Sequence, residues 1–490
     1  MKPSPFSLAA AVFTAAAVVF TVSLSSVPAA DDAGERARIA AVTRPASDFS
    51  KAEEYELRPA GAATMFGLFN HDAFSLPSAN MSFERRADFS VGNGVFRKLW
   101  VSAPSSTISS DGLGPLFNTR ACQSCHLKDG RGHPPDVGRD DPAASMVMAI
   151  HLPGGAPEPR YGRQIQTLGV QGIRAEGLVR LSYRDRPVRF ADGTVVTLQD
   201  PHWSLNTLGY GPIDPRTIVS PRVAPPMIGL GLLEAIAADD IRANADADDR
   251  DGDGISGRVR PVTNPETGRK AIGRMGWKAE QATVRAQAAT AFFNDMGLST
   301  PLFTLPYGDC TPAQTDCRSA SHGGDGDTTV EVDPRLFDLV VFYSRNLAVP
   351  ARRGVSDPQV LAGKKLFYDS GCIACHRPKY VTRRLPDRPE QSFQLIWPYT
   401  DMLLHDMGAA LADHRIDGTI ADAEWRTPPL WGIGLTREVN GHTRFLHDGR
   451  ARNLLEAVLW HGGEAETAKQ RVLAMSRAER DDLIAFLNSL

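Results

Sequence analysis

Two copies of a Cys-x-x-Cys-His pentapeptide constrain this chain more than any other feature of its sequence. Both copies follow a Leu-Phe pair at the same distance. Two thiols at this spacing can each form a thioether with a vinyl group of haem, and the adjacent histidine can coordinate the iron. A zinc site would need more thiols nearby, and a redox dithiol needs no histidine at this spacing. We therefore predict two covalent c-type haems, with these residues as attachment points and proximal iron ligands: Cys122, Cys125, His126, Cys372, Cys375 and His376.

The first 30 residues have the order of a secretory signal peptide. Lys2 supplies a positive charge, residues 8–24 are apolar, and the small residues at 27–30 close the segment before Asp31. A membrane anchor is the alternative, because the apolar run is near the lower length limit for a span. Cleavage is the preferred interpretation, and it places the mature protein in a bacterial periplasm. No second apolar run approaches that length, so we expect no transmembrane segment in the mature chain.

Cys310 and Cys317 are the two cysteines left outside the haem motifs. In an oxidising compartment, a disulfide that closes the short proline-containing loop between them is expected. A reactive dithiol is the alternative, but neither cysteine has an obvious setting for a low pKa. The formal net charge of −3 is close to neutral, which argues against nucleic acid as a partner.

Internal repeats indicate the domain organisation. Residues 338–342 echo residues 482–486, and residues 277–284 echo residues 447–454, which lead into predicted helices. Each half therefore has a haem motif, a middle helix and a closing helix, the minimum that encloses a haem in a small cytochrome c domain. We predict a mainly α fold of two tandem cytochrome c-like domains, residues 31–350 and 351–490.

Local signals mark several element boundaries. Asp-Pro pairs at 333–334 and 357–358 predict helix starts with proline in the first turn, and Ser476 with Glu479 forms a capping box. A stretch rich in Gly, Pro and Arg, at about 127–276, interrupts the first half. Within it, apolar residues on both sides of Asp192–Gly193 predict a β-hairpin. We interpret this stretch as a partly β, loop-rich insertion.

An acidic loop forms the first half of an EF-hand-type pattern. Asp249, Asp251 and Asp253 alternate and are followed by Gly254, but the twelfth position is Arg260 instead of a bidentate glutamate. Calcium binding by the three aspartates is one interpretation, and a solvated acidic turn is the other.

Several motifs in the second half carry a resemblance to a known family. They are Asp-Met-Leu-Leu-His-Asp-Met-Gly at 401–408, Arg-Thr-Pro-Pro-Leu-Trp at 426–431 and Phe-Leu-His-Asp-Gly-Arg-Ala at 445–451. The chain resembles the bacterial dihaem cytochrome c peroxidase superfamily, which also contains the dihaem enzyme that matures tryptophan tryptophylquinone. Within it, the chain is most similar to dihaem oxidoreductases often labelled thiol oxidoreductases. The resemblance extends from about Leu113 to the C-terminus.

The resemblance implies a distal ligand for the second haem. In this superfamily the residue fourteen positions after the histidine of the 445–451 motif is that ligand, a methionine in typical peroxidases and a tyrosine in the quinone-maturing enzyme. Here it is His461. A bis-histidine iron lies at a lower potential than a His/Met iron, because thioether ligation favours the reduced state. A surface histidine at a helix end is the alternative reading, and Met407, His405 and His414 are rivals for the same iron.

The resemblance also makes the first haem the reactive one. Trp277 matches the tryptophan between the two haems and Gln287 a glutamine of the peroxidatic pocket. Asp295 falls near an acidic distal residue, which would move a proton between the two oxygens of a peroxide. The family's distal proline is absent, since residues 288–291 read Ala-Ala-Thr-Ala, and this departure weakens the implication of peroxidase activity. The sixth position of the first iron stays open among His133, His151 and Met275.

The function implied is a periplasmic oxidoreductase, peroxidase-like, in which one haem stores electrons and the other meets a small oxidant such as peroxide. A small redox protein, either a cytochrome or a cupredoxin, is the implied electron donor or acceptor. The alternatives are a non-catalytic dihaem electron-transfer cytochrome and an accessory protein in iron or haem handling. The long insertion argues against a bare carrier, which needs no such cover over a haem edge.

Overall fold

Helices and short strands alternate along the chain, which the computed structural model describes at residue 1 and over residues 32–138, 145–323, 330–414 and 420–490. The predicted signal peptide lies outside these ranges, apart from Met1. Residues up to Arg44 form one unit, whose described helix is α1, Asp32–Thr43, and residues from Pro45 to Leu490 form a second. Among the described residues, no helix combines the length and the apolarity needed to cross a bilayer.

Three helices of the unit 45–490 begin where the sequence predicts their caps. The side chains of Asp333 and Asp357 accept hydrogen bonds from first-turn backbone N–H groups, and Ser476 with Glu479 forms the capping box. These three predicted helix starts are confirmed. The helices are α2 Phe83–Arg97, α3 Cys122–Cys125, α4 Leu230–Ala235, α5 Ala238–Arg242, α6 Val284–Met296, α7 Thr315–Arg318, α8 Pro334–Asn346, α9 Pro358–Asp369, α10 Thr436–Asn440, α11 Leu454–Trp460, α12 Glu466–Ala474 and α13 Arg477–Ser489.

The strands form small antiparallel sheets, of which the largest described has three strands in the order β3-β2-β7. The predicted hairpin around Asp192–Gly193 is confirmed: it pairs β5 with β6 over twelve residues each. The strands are β1 Leu116–Phe117, β2 Met146–His151, β3 Gln164–Ile165, β4 Leu168–Gly169, β5 Leu178–Arg189, β6 Val195–Asn206, β7 Ile218–Val223, β8 Pro261–Thr263, β9 Lys270–Ile272, β10 Tyr380–Val381, β11 Leu395–Ile396, β12 Leu404–Asp406 and β13 Glu424–Arg426.

The prediction of a mainly α fold is wrong. The residues that the structure describes are 30% helix and 16% strand, with many small sheets. Much of the strand content lies between Met146 and Val223, inside the stretch predicted as an insertion. Pairings such as that of Met146 with Val223 join residues far apart in sequence, and strand formation depends on such partners more than on local preference. The division into two haem domains near residue 350 stays a prediction.

Two helix crossings have the same construction in the two halves. Before the first motif, α2 packs on α8, and after residue 357, α9 packs on α13. A Cβ atom at Gly92 would overlap the carbonyl oxygen of Leu339, and one at Gly363 would overlap that of Asp482. Because only glycine permits such an approach of backbones, each crossing packs the helix that contacts a haem motif tightly against a closing helix. The echo between residues 338–342 and 482–486 therefore has a structural counterpart.

The Cys310–Cys317 pair is joined as a disulfide, with the two Cα atoms 6.2 Å apart and Cys317 fully buried. Replacing both cysteines with serine is expected to lower the free energy of unfolding by about 2 kcal/mol, because the unfolded chain regains the entropy that the closed loop removes. Denaturant unfolding measures the change. A reductant should reproduce it in the unmodified protein and have no effect on the double variant; equal stability of the oxidised protein and the variant would contradict the prediction.

Candidate redox site around the two motifs

The first Cys-x-x-Cys-His motif lies on the wall of a cavity of about 530 Å³. Cys122 and Cys125 bound the single turn of α3, and His126 follows it. The Nδ1 atom of His126 lies 2.8 Å from the carbonyl oxygen of Pro225, so the backbone orients the ring and Nε2 is the nitrogen available to a metal. Desolvation lowers the pKa of His126 to about 4. The ring is therefore neutral at neutral pH, the form that coordinates iron.

Trp277, Gln287 and Asp295 line the same cavity as the first motif. Gln287 and Asp295 are both on α6, with Ala291 between them at helical spacing, so they share one face. Trp277 is fixed by a hydrogen bond from its Nε1 to the carbonyl oxygen of Val223, 2.8 Å long. The structure thus brings together three residues that the sequence analysis selected; their catalytic roles stay predictions.

Asp295 is held by a residue that the sequence analysis did not select. The Nε2 atom of Gln164 donates to Oδ1 of Asp295 at 2.9 Å. Desolvation at the cavity wall raises the pKa of Asp295 to about 6, and the bond from Gln164 opposes that rise. A carboxyl group with this pKa exchanges protons readily near neutral pH, as acid–base catalysis requires. Gln164 belongs to the two-residue strand β3, and nothing in its local sequence marks it.

The candidates for the sixth position of the first iron differ in their placement. Met275 is buried and lines the cavity. His133 is exposed, with Nδ1 2.8 Å from the carbonyl oxygen of Pro134. His151 is buried on β2, with Nδ1 2.9 Å from the carbonyl oxygen of Leu152, and neither histidine lines the cavity. The geometry therefore favours Met275 among the three.

Cationic side chains on the cavity wall suit the two propionates of a haem. Arg131, Arg274 and Arg426 are buried, and each guanidinium donates to a backbone carbonyl, at 2.7, 3.1 and 2.9 Å. Within the described part of the chain, no hydrogen-bond partner reaches the buried Nε of Arg131. A buried donor of this kind is costly unless a ligand satisfies it. The arginines on the wall are Arg131, Arg163, Arg222, Arg260, Arg274 and Arg426.

The second motif repeats the arrangement of the first. The Nδ1 atom of His376 lies 2.9 Å from the carbonyl oxygen of Tyr399. His461 directly follows α11, and its Nδ1 lies 2.7 Å from the carbonyl oxygen of Ala457, which again leaves Nε2 available. Desolvation lowers the pKa of His376 to about 4 and also lowers the pKa of His461. Both rings are therefore neutral at neutral pH, the form that coordinates iron.

The rivals of His461 are less well placed. Nε2 of His405 lies 2.7 Å from Asp401 and its Nδ1 lies 2.6 Å from Glu464. Although desolvation opposes the charge, Asp401 and Glu464 raise the pKa of His405 well above its usual value. An imidazolium has no lone pair to offer iron. His414 has an exposed side chain beside Asp422, and Met407 is half-buried. Ligation by His461 stays a prediction.

One family model, described as "Di-haem oxidoreductase, putative peroxidase", matches residues 57–152 and 151–490. The matched ranges contain both motifs and every cavity residue described above. The chain belongs to the di-haem oxidoreductase family. The resemblance drawn from the sequence is thereby confirmed. No curated protein matches the chain. Family membership supports haem as the cofactor of this di-haem oxidoreductase, and a redox, peroxidase-like character at the level of the family.

The acidic loop of this di-haem oxidoreductase has its own internal bonding. Asp249, Asp251 and Asp253 each place one carboxylate oxygen within 4.8 Å of the others, and all three are exposed. Asp249 accepts a hydrogen bond from the backbone N–H of Gly254, and Asp253 accepts one from that of Ile255. These bonds account for the tight turn. Calcium binding there stays a prediction.

Proposed function

We propose that this di-haem oxidoreductase is a periplasmic, peroxidase-like enzyme in which one haem stores electrons and the other meets a small oxidant such as hydrogen peroxide. The observation that carries the proposal is the cavity that holds the first motif together with Trp277, Gln287 and Asp295. A carrier of electrons needs only an exposed haem edge. A buried acid in the cavity is what proton transfer to a bound oxidant requires.

Both haems would be attached through the thiols of the two motifs, with His126 and His376 as proximal ligands. A bound haem supplies one-electron redox chemistry. The carbonyl oxygens of Pro225 and Tyr399 accept the Nδ1–H of the two histidines. Such second partners fix the tautomer and raise the basicity of the coordinating nitrogen. The buried guanidinium of Arg131 would pair with a propionate, which gives its unpartnered Nε an acceptor.

Asp295 would handle the proton of the oxidant. Its carboxylate would take the proton from one oxygen of hydrogen peroxide and return it to the other, so that one water leaves as the O–O bond breaks. The two haems would supply the two electrons required, and two further protons would release the second oxygen as water. Gln164 holds the carboxylate by donating to Oδ1. Gln287, on the same face of α6, is the second polar side chain that positions the oxidant.

The second site would be the electron store. His376 and His461 would both hold its iron, and such a bis-histidine pair would exclude peroxide and lower the potential relative to a His/Met pair. Electrons would come from a small redox protein, a cytochrome or a cupredoxin. The signal-peptide pattern of the first 30 residues supports a periplasmic location.

Haem content tests the proposal directly. Pyridine haemochrome analysis of the exported protein should give two haems per chain that resist acid-acetone extraction, because thioethers hold them. The double variants Cys122→Ser/Cys125→Ser and Cys372→Ser/Cys375→Ser should each lose one haem. The Cys310→Ser/Cys317→Ser double variant, which alters no motif, should retain both. One haem in the unmodified protein, or haem that extracts, would contradict covalent attachment at both motifs.

A further inference from the structure

Four buried rings lead from the cavity of the first motif to a thiol of the second: Trp277, His447, Trp425 and His405, here called the ring path. Trp277 lines the cavity. Its ring contacts His447 edge to face, with centroids 6.5 Å apart and planes at 75°. His447 then stacks on Trp425, with centroids 3.8 Å apart and planes at 10°. The first three rings of the path thus contact one another in order from the cavity wall inward.

The last step crosses a β-ladder. His405 on β12 and Trp425 on β13 are direct partners in the antiparallel register, so their side chains lie on the same side of the ladder. The Nδ1 atom of His405 is 3.5 Å from Sγ of Cys375. The ring path therefore ends at an attachment thiol of the second motif.

The ring path is shielded from solvent, and hydrogen bonds to the backbone hold its two indole rings. The four side chains are exposed by only 8, 4, 6 and 2% in path order. Both indole N–H groups donate to backbone carbonyls, Trp277 to Val223 at 2.8 Å and Trp425 to Leu411 at 2.9 Å. Leu446, next to His447, has a φ of 68°, and such strained residues persist only where the surroundings fix them. The stack of His447 on Trp425 is thus fixed by its environment.

We propose that electrons pass between the two haem sites along the ring path, with the stack of His447 and Trp425 as its middle. This inference rests on the proposed function, because it presupposes a haem at each motif. Electrons that the second haem would hold would pass one at a time to the first site, where two of them, with two protons, reduce one hydrogen peroxide to two water molecules. No bond forms or breaks in the path, and no proton leaves it.

The charges beside the path indicate how the electron passes. The Nζ atom of fully buried Lys278 lies 4.3 Å from the ring centroid of Trp425, and the guanidinium of Arg131 lies 5.8 Å from that of Trp277. A cation over an indole opposes the removal of an electron from it, because two positive charges would then face each other at short range. The ammonium of Lys278 is also paired with the carboxylate of Asp413, 3.1 Å away, so its charge is partly compensated, and the ring path does not depend on whether a ring is transiently oxidised.

Pulse radiolysis of the di-haem protein tests the ring path. A radiolytically formed one-electron reductant reduces a small fraction of the irons, and the haem absorption bands then report the redistribution of the electron. His447→Leu and Trp425→Leu should each slow that redistribution by roughly tenfold or more, the equivalent of an added barrier of about 1.4 kcal/mol. His447→Phe and Trp425→Phe keep a ring in the stack and should retain most of the rate. Trp100→Leu, at a buried tryptophan outside the path, should leave it unchanged.

Haem content, spin state and both reduction potentials are measured on every variant. Two haems, unchanged potentials and an unchanged rate in both leucine variants would overturn the ring path and leave Trp277 as the single bridge. The ring path would also be overturned if a measured change in the difference between the two reduction potentials accounted for the whole loss of rate. Should His447→Leu fail to fold, the contrast between Trp425→Leu and Trp425→Phe decides alone. Loss of a haem in the unmodified protein would instead defeat the proposed function, so the two failures are distinguishable.

Discussion

Replacing Asp295 with asparagine is expected to slow the reaction of the reduced protein with hydrogen peroxide by roughly 10²–10⁴-fold, the usual contribution of a positioned acid–base group. Asparagine keeps the size of the side chain but cannot accept the proton of the oxidant. Stopped-flow mixing with peroxide measures the rate. Haem content and spin state should stay unchanged, because Asp295 is not among the proposed iron ligands.

The pH dependence of the peroxide reaction should also report the protonation of Asp295. Desolvation raises the pKa of Asp295 to about 6. Below this pH the carboxyl is protonated and cannot act as a base, so the rate should rise as the pH increases through about 6. The bond from Gln164 lowers the pKa of Asp295, so Gln164→Leu should move the step to higher pH. In Asp295→Asn the step should disappear.

Glu331 provides a matched control. Burial also raises its pKa, to about 7, but it does not line the cavity. Glu331→Gln should therefore retain the peroxide rate and its pH step. If Asp295→Asn reacted as fast as the unmodified protein with the step intact, proton handling would belong to another group, and the peroxidase-like proposal would lose its acid–base residue.

Replacing His461 with alanine should convert the second haem to a high-spin state and raise its reduction potential. An imidazole opposite His376 makes that iron low-spin and low in potential, and axial ligands set haem potentials over a range of roughly 0.8 V. His461→Met should restore a low-spin spectrum at a higher potential than that of the unmodified protein, since a thioether favours the reduced state. Absorption spectra and redox titration measure both changes, and both haems should remain attached.

His414 offers the control for this experiment, because its side chain is exposed. His414→Ala should change neither the spin state nor the potential of either haem. A second haem that stays low-spin in His461→Ala would show that His461 is not the ligand. Met407 would then be the better candidate, because the two carboxylates that hold His405 keep its ring protonated.

Local chemistry in the sequence determined much of this site. The thiol and imidazole groups of a haem motif lie within five residues, so their spacing alone indicates attachment. Helix caps at Asp333, Asp357 and Ser476 are equally local, and the structure has all three. The family motifs also selected Trp277, Gln287 and Asp295, which line one cavity. The repeat of the closing helix was visible for the same reason, since each copy is a continuous segment.

Only the tertiary structure decided which groups meet across long separations in the chain. Gln164 reaches Asp295 from a two-residue strand, and neither residue specifies the other in sequence. The two carboxylates that stabilise the protonated ring of His405 come from different segments, and the partner of Trp425 is set by the register of β12 on β13. The mainly α prediction failed for the same physical reason. Strand pairing and the desolvation that shifts a pKa both depend on neighbours brought by the folded chain, and no local pattern encodes those neighbours.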